Sequence, residues 1–166
     1  MFVGSSTRCI GGTGLGLSIC KRLKRLHILV AEDHPVNRVL LSQILDAEGA
    51  SMACACDGAE AVSLVNEALI AGARRFDAVL CDIEMPVMDG IEATRRMCEI
   101  APGLPIIGLT AHAFDDARRR GSQSGMIDYL TKPYMVDDLV RMVRRHASPA
   151  PATSSAHWPS TLKRPR

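Results

Sequence analysis

The run Ala78-Val79-Leu80-Cys81-Asp82-Ile83-Glu84-Met85-Pro86-Val87-Met88-Asp89-Gly90 constrains this chain more than any other stretch. Four apolar residues deliver a carboxylate, Asp82, and a Pro and an Asp-Gly pair then turn the chain. A short apolar run bounded by turn residues reads as a buried strand. A buried parallel strand ending on an acid sets that acid at the carboxyl edge of a sheet, where open α/β folds bind their ligands. Asp82 is therefore the point around which the remaining segments are read.

Four further apolar runs flank it. His27–Ala31 precedes Glu32-Asp33-His34-Pro35, and Pro35 suits the first turn of a helix carrying Val36, Leu40, Ile44 and Ala47, with Gly49 as its end. Met52–Cys56 predicts a second strand, and Asp57-Gly58 leads into a helix with Ala59, Val62, Val65, Ala68 and Leu69. After Gly90 a helix is predicted to about Glu99, broken at Ala101-Pro102-Gly103. Pro105–Leu109 predicts a fourth strand ending on Thr110. A polar helix with Asp115, Asp116 and Arg118 to Arg120 follows, closing near Gly125. Ile127–Leu130 predicts a fifth strand ending at Thr131-Lys132-Pro133, and a last helix spans about Val136 to His146. Five strand–helix alternations imply a doubly wound parallel sheet with helices on both faces.

Length and composition agree with one such domain. The 166 residues are 47% hydrophobic but 4% aromatic, so the core is aliphatic and Met-rich. All 18 acids lie between Glu32 and Asp138. Eight of the 20 Lys and Arg lie in the two ends, from Arg8 to Arg25 and from Lys163 to Arg166. An acidic globular middle with basic ends gives no reason to expect a nucleic-acid partner. No apolar run approaches the length that spans a bilayer, and the start lacks the layout of a signal peptide, so no membrane partner and a cytoplasmic location are expected. The six cysteines lack metal-finger spacing and read as reduced, buried thiols.

The polar residues that interrupt the pattern fall at strand ends: Glu32 and Asp33, Asp82, Thr110 and Lys132. In the flavodoxin-like strand order 2-1-3-4-5 the first and third strands are neighbours. Three carboxylates would share a small space, where like charges need a counter-charge. Hard oxygen donors favour Mg²⁺. A carboxylate nucleophile, a metal, a Lys and a hydroxyl suit phosphoryl transfer, with Asp82 attacking to form an aspartyl phosphate.

Two resemblances sharpen this reading. Gly11-Gly12-Thr13-Gly14-Leu15-Gly16 opens into a segment with Leu15, Ile19, Leu23 and Leu26 at helical spacing. It resembles the last glycine box of sensor histidine kinase ATP-binding domains. The rest of that fold has no counterpart here, so a remnant without histidine kinase activity is expected. Glu32-Asp33, Asp82 with Met85–Gly90, Leu109-Thr110-Ala111 and Tyr129–Pro133 together resemble the receiver domain of two-component response regulators, over His27 to about Ala147. Asn37 and Gly125–Tyr129 point to receivers attached to hybrid sensor kinases.

The resemblance implies Asp82 as phosphoacceptor, with Mg²⁺ held by Asp33, Asp82 and the Glu84 carbonyl, and by Glu32 through water. Lys132 would contact the phosphoryl group, and its bond to Pro133 would be cis. Thr110 and Tyr129 would form the switch pair, and Glu84 and His112 would tune phosphate lifetime. The partners implied are a histidine kinase or histidine phosphotransfer protein as donor and a downstream protein. The signalling face would be formed by the helix before the fifth strand, that strand and the last helix, and homodimerisation through this face stays open. The expected organisation is a flexible 1–26, a receiver over 27–147 and a disordered 148–166.

Rival functions fit less well. A flavodoxin-type cofactor binder would need a Ser/Thr-rich phosphate loop where Glu32-Asp33 stands. A haloacid-dehalogenase-like phosphatase would need an Asp-x-Asp pair, and Asp82-Ile83-Glu84 lacks it. A phosphorylation-independent interaction module would not need the acid–Thr–Lys set. A phosphate sink or relay intermediate within a hybrid kinase remains the alternative.

Overall fold

A computed structural model describes residues 22–72, 74–111 and 123–147. The elements in chain order are β1 (His27–Ala31), α1 (Pro35–Ala47), β2 (Ser51–Ala55), α2 (Gly58–Ile70), β3 (Ala78–Asp82), α3 (Gly90–Ile100), β4 (Ile106–Thr110), β5 (Asp128–Thr131) and α4 (Val136–His146). All neighbouring strands are parallel, and the sheet order is β2-β1-β3-β4-β5, the expected flavodoxin-like arrangement. The glycine loop, the polar helix around Arg118 to Arg120 and the C-terminal tail lie outside the described residues.

Strand parity builds the layers. Successive side chains of a strand point to opposite faces. Ile28 and Val30 of β1, Ala78 and Leu80 of β3, and Ile107 and Leu109 of β4 pack with Leu41 and Leu45 of α1 and Leu139 and Val143 of α4. Leu29, Ala31, Val79, Cys81 and Ile106 face the other way, onto Ala61 and Val65 of α2 and Ala93 and Met97 of α3. Central strands buried on both faces explain why these runs are continuously apolar rather than alternating.

The two Asp-Gly pairs are helix starts rather than free-standing turns. Asp57 caps α2 by accepting from the Glu60 amide at 2.9 Å, and Asp89 caps α3 by accepting from the Glu92 amide at 2.8 Å. The glycine after each cap is dictated by close approach. A Cβ on Gly58 would lie 2.5 Å from the Met88 carbonyl oxygen, and one on Gly90 would lie 2.1 Å from that of Asp82. Gly49, at φ 86°, follows the C-cap of α1 as the sequence suggests. Strands β2 and β5 are each shifted by one residue from their expected bounds. The Ser51 amide already pairs with the Leu26 carbonyl at 2.8 Å, which starts β2 early.

The helical spacing that ran through Leu23 and Leu26 has a different origin. Residues 22–25 form turns, with Arg25 at φ 71°. Leu23 is fully buried and Leu26 nearly so, and both belong to the α1/α4 core layer. The Leu23 amide donates to the Glu48 carbonyl at 3.0 Å, and Arg22 pairs with Glu48 at 2.7 Å and Asp137 at 2.8 Å. The end of the segment expected to be flexible thus closes the amino edge of the sheet. The cysteines also divide: Cys81 is buried, while Cys54 and Cys56 on the edge strand side are exposed, all as free thiols.

Burial makes the role of Leu23 measurable. Leu23→Ala should lower the unfolding free energy in a urea titration by about 2–5 kcal/mol, the cost of an unfilled core site. Ile70→Ala, at a residue 78% exposed, should stay within about 0.5 kcal/mol of wild type.

Candidate functional site

The carboxyl ends of β1, β3, β4 and β5 converge at one edge of the sheet. Glu32 follows β1 directly and its amide still bonds the Ala55 carbonyl of β2, at 3.1 Å. Its side chain is fully buried. One carboxylate oxygen, Oε1, accepts from Asn37 Nδ2 at 3.1 Å and the His34 amide at 3.2 Å, and Oε2 accepts from Lys132 Nζ at 2.7 Å. Asp33, one residue on, is exposed at the mouth of the cleft.

Asp82 ends β3 and is 6% exposed. Its parity with Ala78 and Leu80 aims it to the α1/α4 side, toward Glu32 and Lys132. Oδ1 accepts from the Glu84 amide at 3.0 Å and Oδ2 from Lys132 Nζ at 2.5 Å. The loop behind it is drawn tight: the Gly90 amide donates to the Ile83 carbonyl at 3.0 Å, and the Gly58 amide to that of Met88 at 3.1 Å. Val87, at the crest of this loop, is 88% exposed and sits at φ 67°. A β-branched residue in the left-handed region is a strained one.

Lys132 reaches the acids from beyond β5. Its amide donates to the Thr110 carbonyl at 2.7 Å, which registers the β5 end against the β4 end. The Lys132–Pro133 peptide bond is cis, as expected. One ammonium therefore bridges two buried carboxylates that belong to different strands. Oxygens of Glu32, Asp33 and Asp82 all lie within 4.8 Å of one another. This is a hard, anionic donor set of the kind that suits Mg²⁺, which binds through one or two carboxylates and keeps several waters.

The electrostatics follow from that crowding. Like charges about 4 Å apart repel by about 4 kcal/mol at an effective dielectric of about 20. Burial, with Glu32 nearby, pushes the Asp82 carboxyl above its ordinary value, against the bonds from Lys132 and Glu84. For Glu32, burial also pushes upward, but the bonds from Lys132 and Asn37 outweigh it and hold the carboxyl low. Burial works against the Lys132 ammonium, and its two acid partners overcome that and raise its pKa.

The other sequence candidates separate by position. Thr110 is 2% exposed at the end of β4 and lies on the opposite sheet face from Leu109. Tyr129 pairs in register with Gly108, and its ring packs on the α2/α3 layer. A Cβ on Gly108 would meet that ring at 2.8 Å, so the missing side chain makes room for the aromatic. Thr110, Gly108 and Tyr129 thus share one face. Glu84 presents its backbone amide to Asp82 while its side chain is exposed. His112 lies outside the described residues. Two residues escaped the sequence reading as site members. Asn37 bonds Glu32, and Arg38 Nη1 donates to the carbonyls of Glu32 and Asp33, each at 2.7 Å. Their spacing of four to six residues past the acids, one turn into α1, was the available signal.

The raised Asp82 carboxyl gives a signed expectation. The native state holds that proton more tightly than the unfolded chain, so ionised Asp82 destabilises the fold once pH exceeds the ordinary Asp range. Asp82→Asn, melted with a chelator present, should be more stable than wild type near pH 7 by on the order of 1 kcal/mol. The gain should disappear as pH falls below about 4, where the wild-type group is protonated in both states. A variant less stable at pH 7 would contradict the charge assignment.

The chain matches the family model described as response regulator receiver domain over residues 28–144. The sensor histidine kinase RcsC of Escherichia coli is 36% identical over 120 residues, covering 72% of this chain and 12% of that protein. The sensor protein EvgS of the same species is 40% identical over 116 residues, 70% of this chain and 9% of that protein. The chain thus spans about a tenth of the length of these relatives. Among solved structures, the receiver domain of the sensor histidine kinase PA1611 from Pseudomonas aeruginosa is 36% identical. It covers 73% of this chain and 96% of that one at a TM-score of 0.65, and holds a magnesium ion in its active site cleft. The Vibrio cholerae chemotaxis protein CheY4 is 27% identical with a TM-score of 0.65, covering 73% of this chain and 98% of that one. The acid–lysine cluster at the sheet edge and these likenesses agree, and the chain belongs to the response regulator receiver domain family.

Proposed function

We propose that this chain is a phosphoacceptor in a two-component phosphorelay, taking a phosphoryl group from a phosphohistidine donor onto Asp82. The observation that carries the reading is the Lys132 ammonium lodged between Asp82 and Glu32, with an Asp33 oxygen within reach of both acids. An oxygen of Asp82 forms the new bond to phosphorus as the bond from phosphorus to the donor imidazole breaks. The bonding pair stays on that nitrogen, which takes a proton from water. Lys132 turns its charge to one phosphoryl oxygen, and the Thr110 hydroxyl donates to another. The donor set fits Mg²⁺, which Asp33, Asp82 and the Glu84 carbonyl would hold, with Glu32 assisting through water. When bound, the ion neutralises charge on the phosphoryl oxygens.

The remaining assignments rest on the same reading. Thr110 and Tyr129 act as the switch pair, supported by the face they share across Gly108. Glu84 and His112 tune the lifetime of the phosphate. The activity expected at Asp82 is self-phosphorylation and loss of that phosphate. We place the protein in the cytoplasm, and no described helix is long and apolar enough to cross a membrane.

The donor is a histidine kinase or a histidine phosphotransfer protein, and α1 and the start of α4 offer it a surface. Val36, Val39 and Leu40 on α1 and Met135 and Val136 at α4 are all exposed, and both helices begin at the Asp82 edge. An apolar surface around a charged cleft is suited to seat a protein that carries the phosphohistidine. Signalling through a downstream protein or a homodimer would use the face formed by the residues before β5, by β5 and by α4.

Incubation with acetyl phosphate and Mg²⁺ should add one phosphoryl group by intact mass, and Asp82→Ala should abolish the gain. Wild-type protein that stays unmodified, or a gain that survives in Asp82→Ala, would refute the reading. For the surface, Leu40→Glu should slow transfer from a phosphorylated histidine phosphotransfer domain about tenfold while leaving the acetyl phosphate rate unchanged.

A further inference from the structure

We infer that Arg38 is a positioning residue for the metal-binding acids, acting through the main chain of the loop that carries them. This rests on the proposed reading that Glu32, Asp33 and Asp82 hold Mg²⁺.

The Glu32 amide makes the last bond to β2, at 3.1 Å to the Ala55 carbonyl, and the bend beyond it that carries Asp33 must be held by other bonds. Helix α1 begins with Pro35, which has no amide to donate, and His34 at its N-cap makes no side-chain cap bond among the described residues. The helix reaches back instead. Arg38 Nη1 donates to both the Glu32 and the Asp33 carbonyl at 2.7 Å, and the Arg38 amide bonds the His34 carbonyl at 3.1 Å. Asn37 adds the bond to the Glu32 carboxylate at 3.1 Å. Between them, two consecutive residues of α1 bond the carbonyls of both acids and the side chain of one.

The sign of the effect separates positioning from simple electrostatics. A guanidinium in the first turn opposes the helix dipole, and it adds a positive charge close to a site meant for a dication. If Arg38 acted on the ion through charge alone, neutralising it would tighten Mg²⁺ binding. If it positions the acids, neutralising it must loosen binding, because the loop carrying Glu32 and Asp33 loses its shared donor.

The experiment is calorimetric titration of the full chain with magnesium chloride, for wild type, Arg38→Met, Arg38→Lys and Asn37→Ala. Arg38→Met should raise the Mg²⁺ dissociation constant at least about tenfold, in the range found when supporting residues of metal ligands are removed. Arg38→Lys, which keeps the charge and a donor, should fall between Met and wild type, and Asn37→Ala should weaken binding less than Arg38→Met. Melting curves in chelator establish that each variant is folded. Unchanged or tighter Mg²⁺ binding in folded Arg38→Met overturns the inference, as does Arg38→Lys that binds as poorly as Arg38→Met. Should Arg38→Met not fold, Arg38→Lys and Asn37→Ala decide, with wild-type affinity in both counting against it. Wild type that takes up no Mg²⁺ overturns the inference together with the proposed function. Wild type that binds Mg²⁺ and gains phosphate while Arg38→Met matches it overturns the inference alone.

Discussion

One ammonium group shared by two buried carboxylates organises this molecule. Lys132 touches both Glu32 and Asp82, which come from strands that are neighbours in space and far apart in sequence. Neither acid tolerates burial as an unpaired ion, and a single cation does not neutralise both together with Asp33. The site therefore retains an excess of negative charge at a sheet edge. That excess suits it for a divalent cation, whose charge, once bound, would offset the negative charge of the acids.

The architecture around the cluster follows from the need to hold these groups at close range. Parity along β3 sends Asp82 to the α1/α4 side, and parity along β4 and β5 leaves Thr110 and Tyr129 on the other. The two sides of the sheet thereby divide the labour. One carries the charged groups, and the other carries a hydroxyl with an aromatic ring packed behind it. Gly90 lets the start of α3 close on the Asp82 carbonyl, and Gly108 leaves the space that the Tyr129 ring fills. Both glycines stand where a Cβ would separate parts that must touch.

Much of this was legible in the chain because it is written locally. A buried strand shows as an apolar run, a strand end as the polar residue that stops it, and a helix start as Pro35 or an Asp-Gly pair. With the flavodoxin-like strand order taken for such an alternation, the gathering of Glu32, Asp33, Asp82 and Lys132 at one edge followed from these marks. Less legible were features in which one residue type serves either of two purposes. Leu23 and Leu26 have a spacing that a helix face and a pair of buried turn residues produce equally well. Cys54 and Cys56 have the spacing of one strand face, but β2 ends at Ala55, and only its place at the sheet edge decides that Cys54 meets solvent.

The sequence by itself determined the kind of fold, the residues that end its strands and the chemistry those residues can perform. Periodicity and side-chain type are properties of the chain and survive without coordinates. The tertiary structure alone decided that Lys132 divides its charge between two acids, that Arg38 and Asn37 tie the acid loop to α1, and that Leu23 closes the core. Such contacts depend on distances of a few ångströms between segments brought together by packing. No local pattern encodes them, because many partners at many separations could have met the same need for a charge, a donor or a buried methyl.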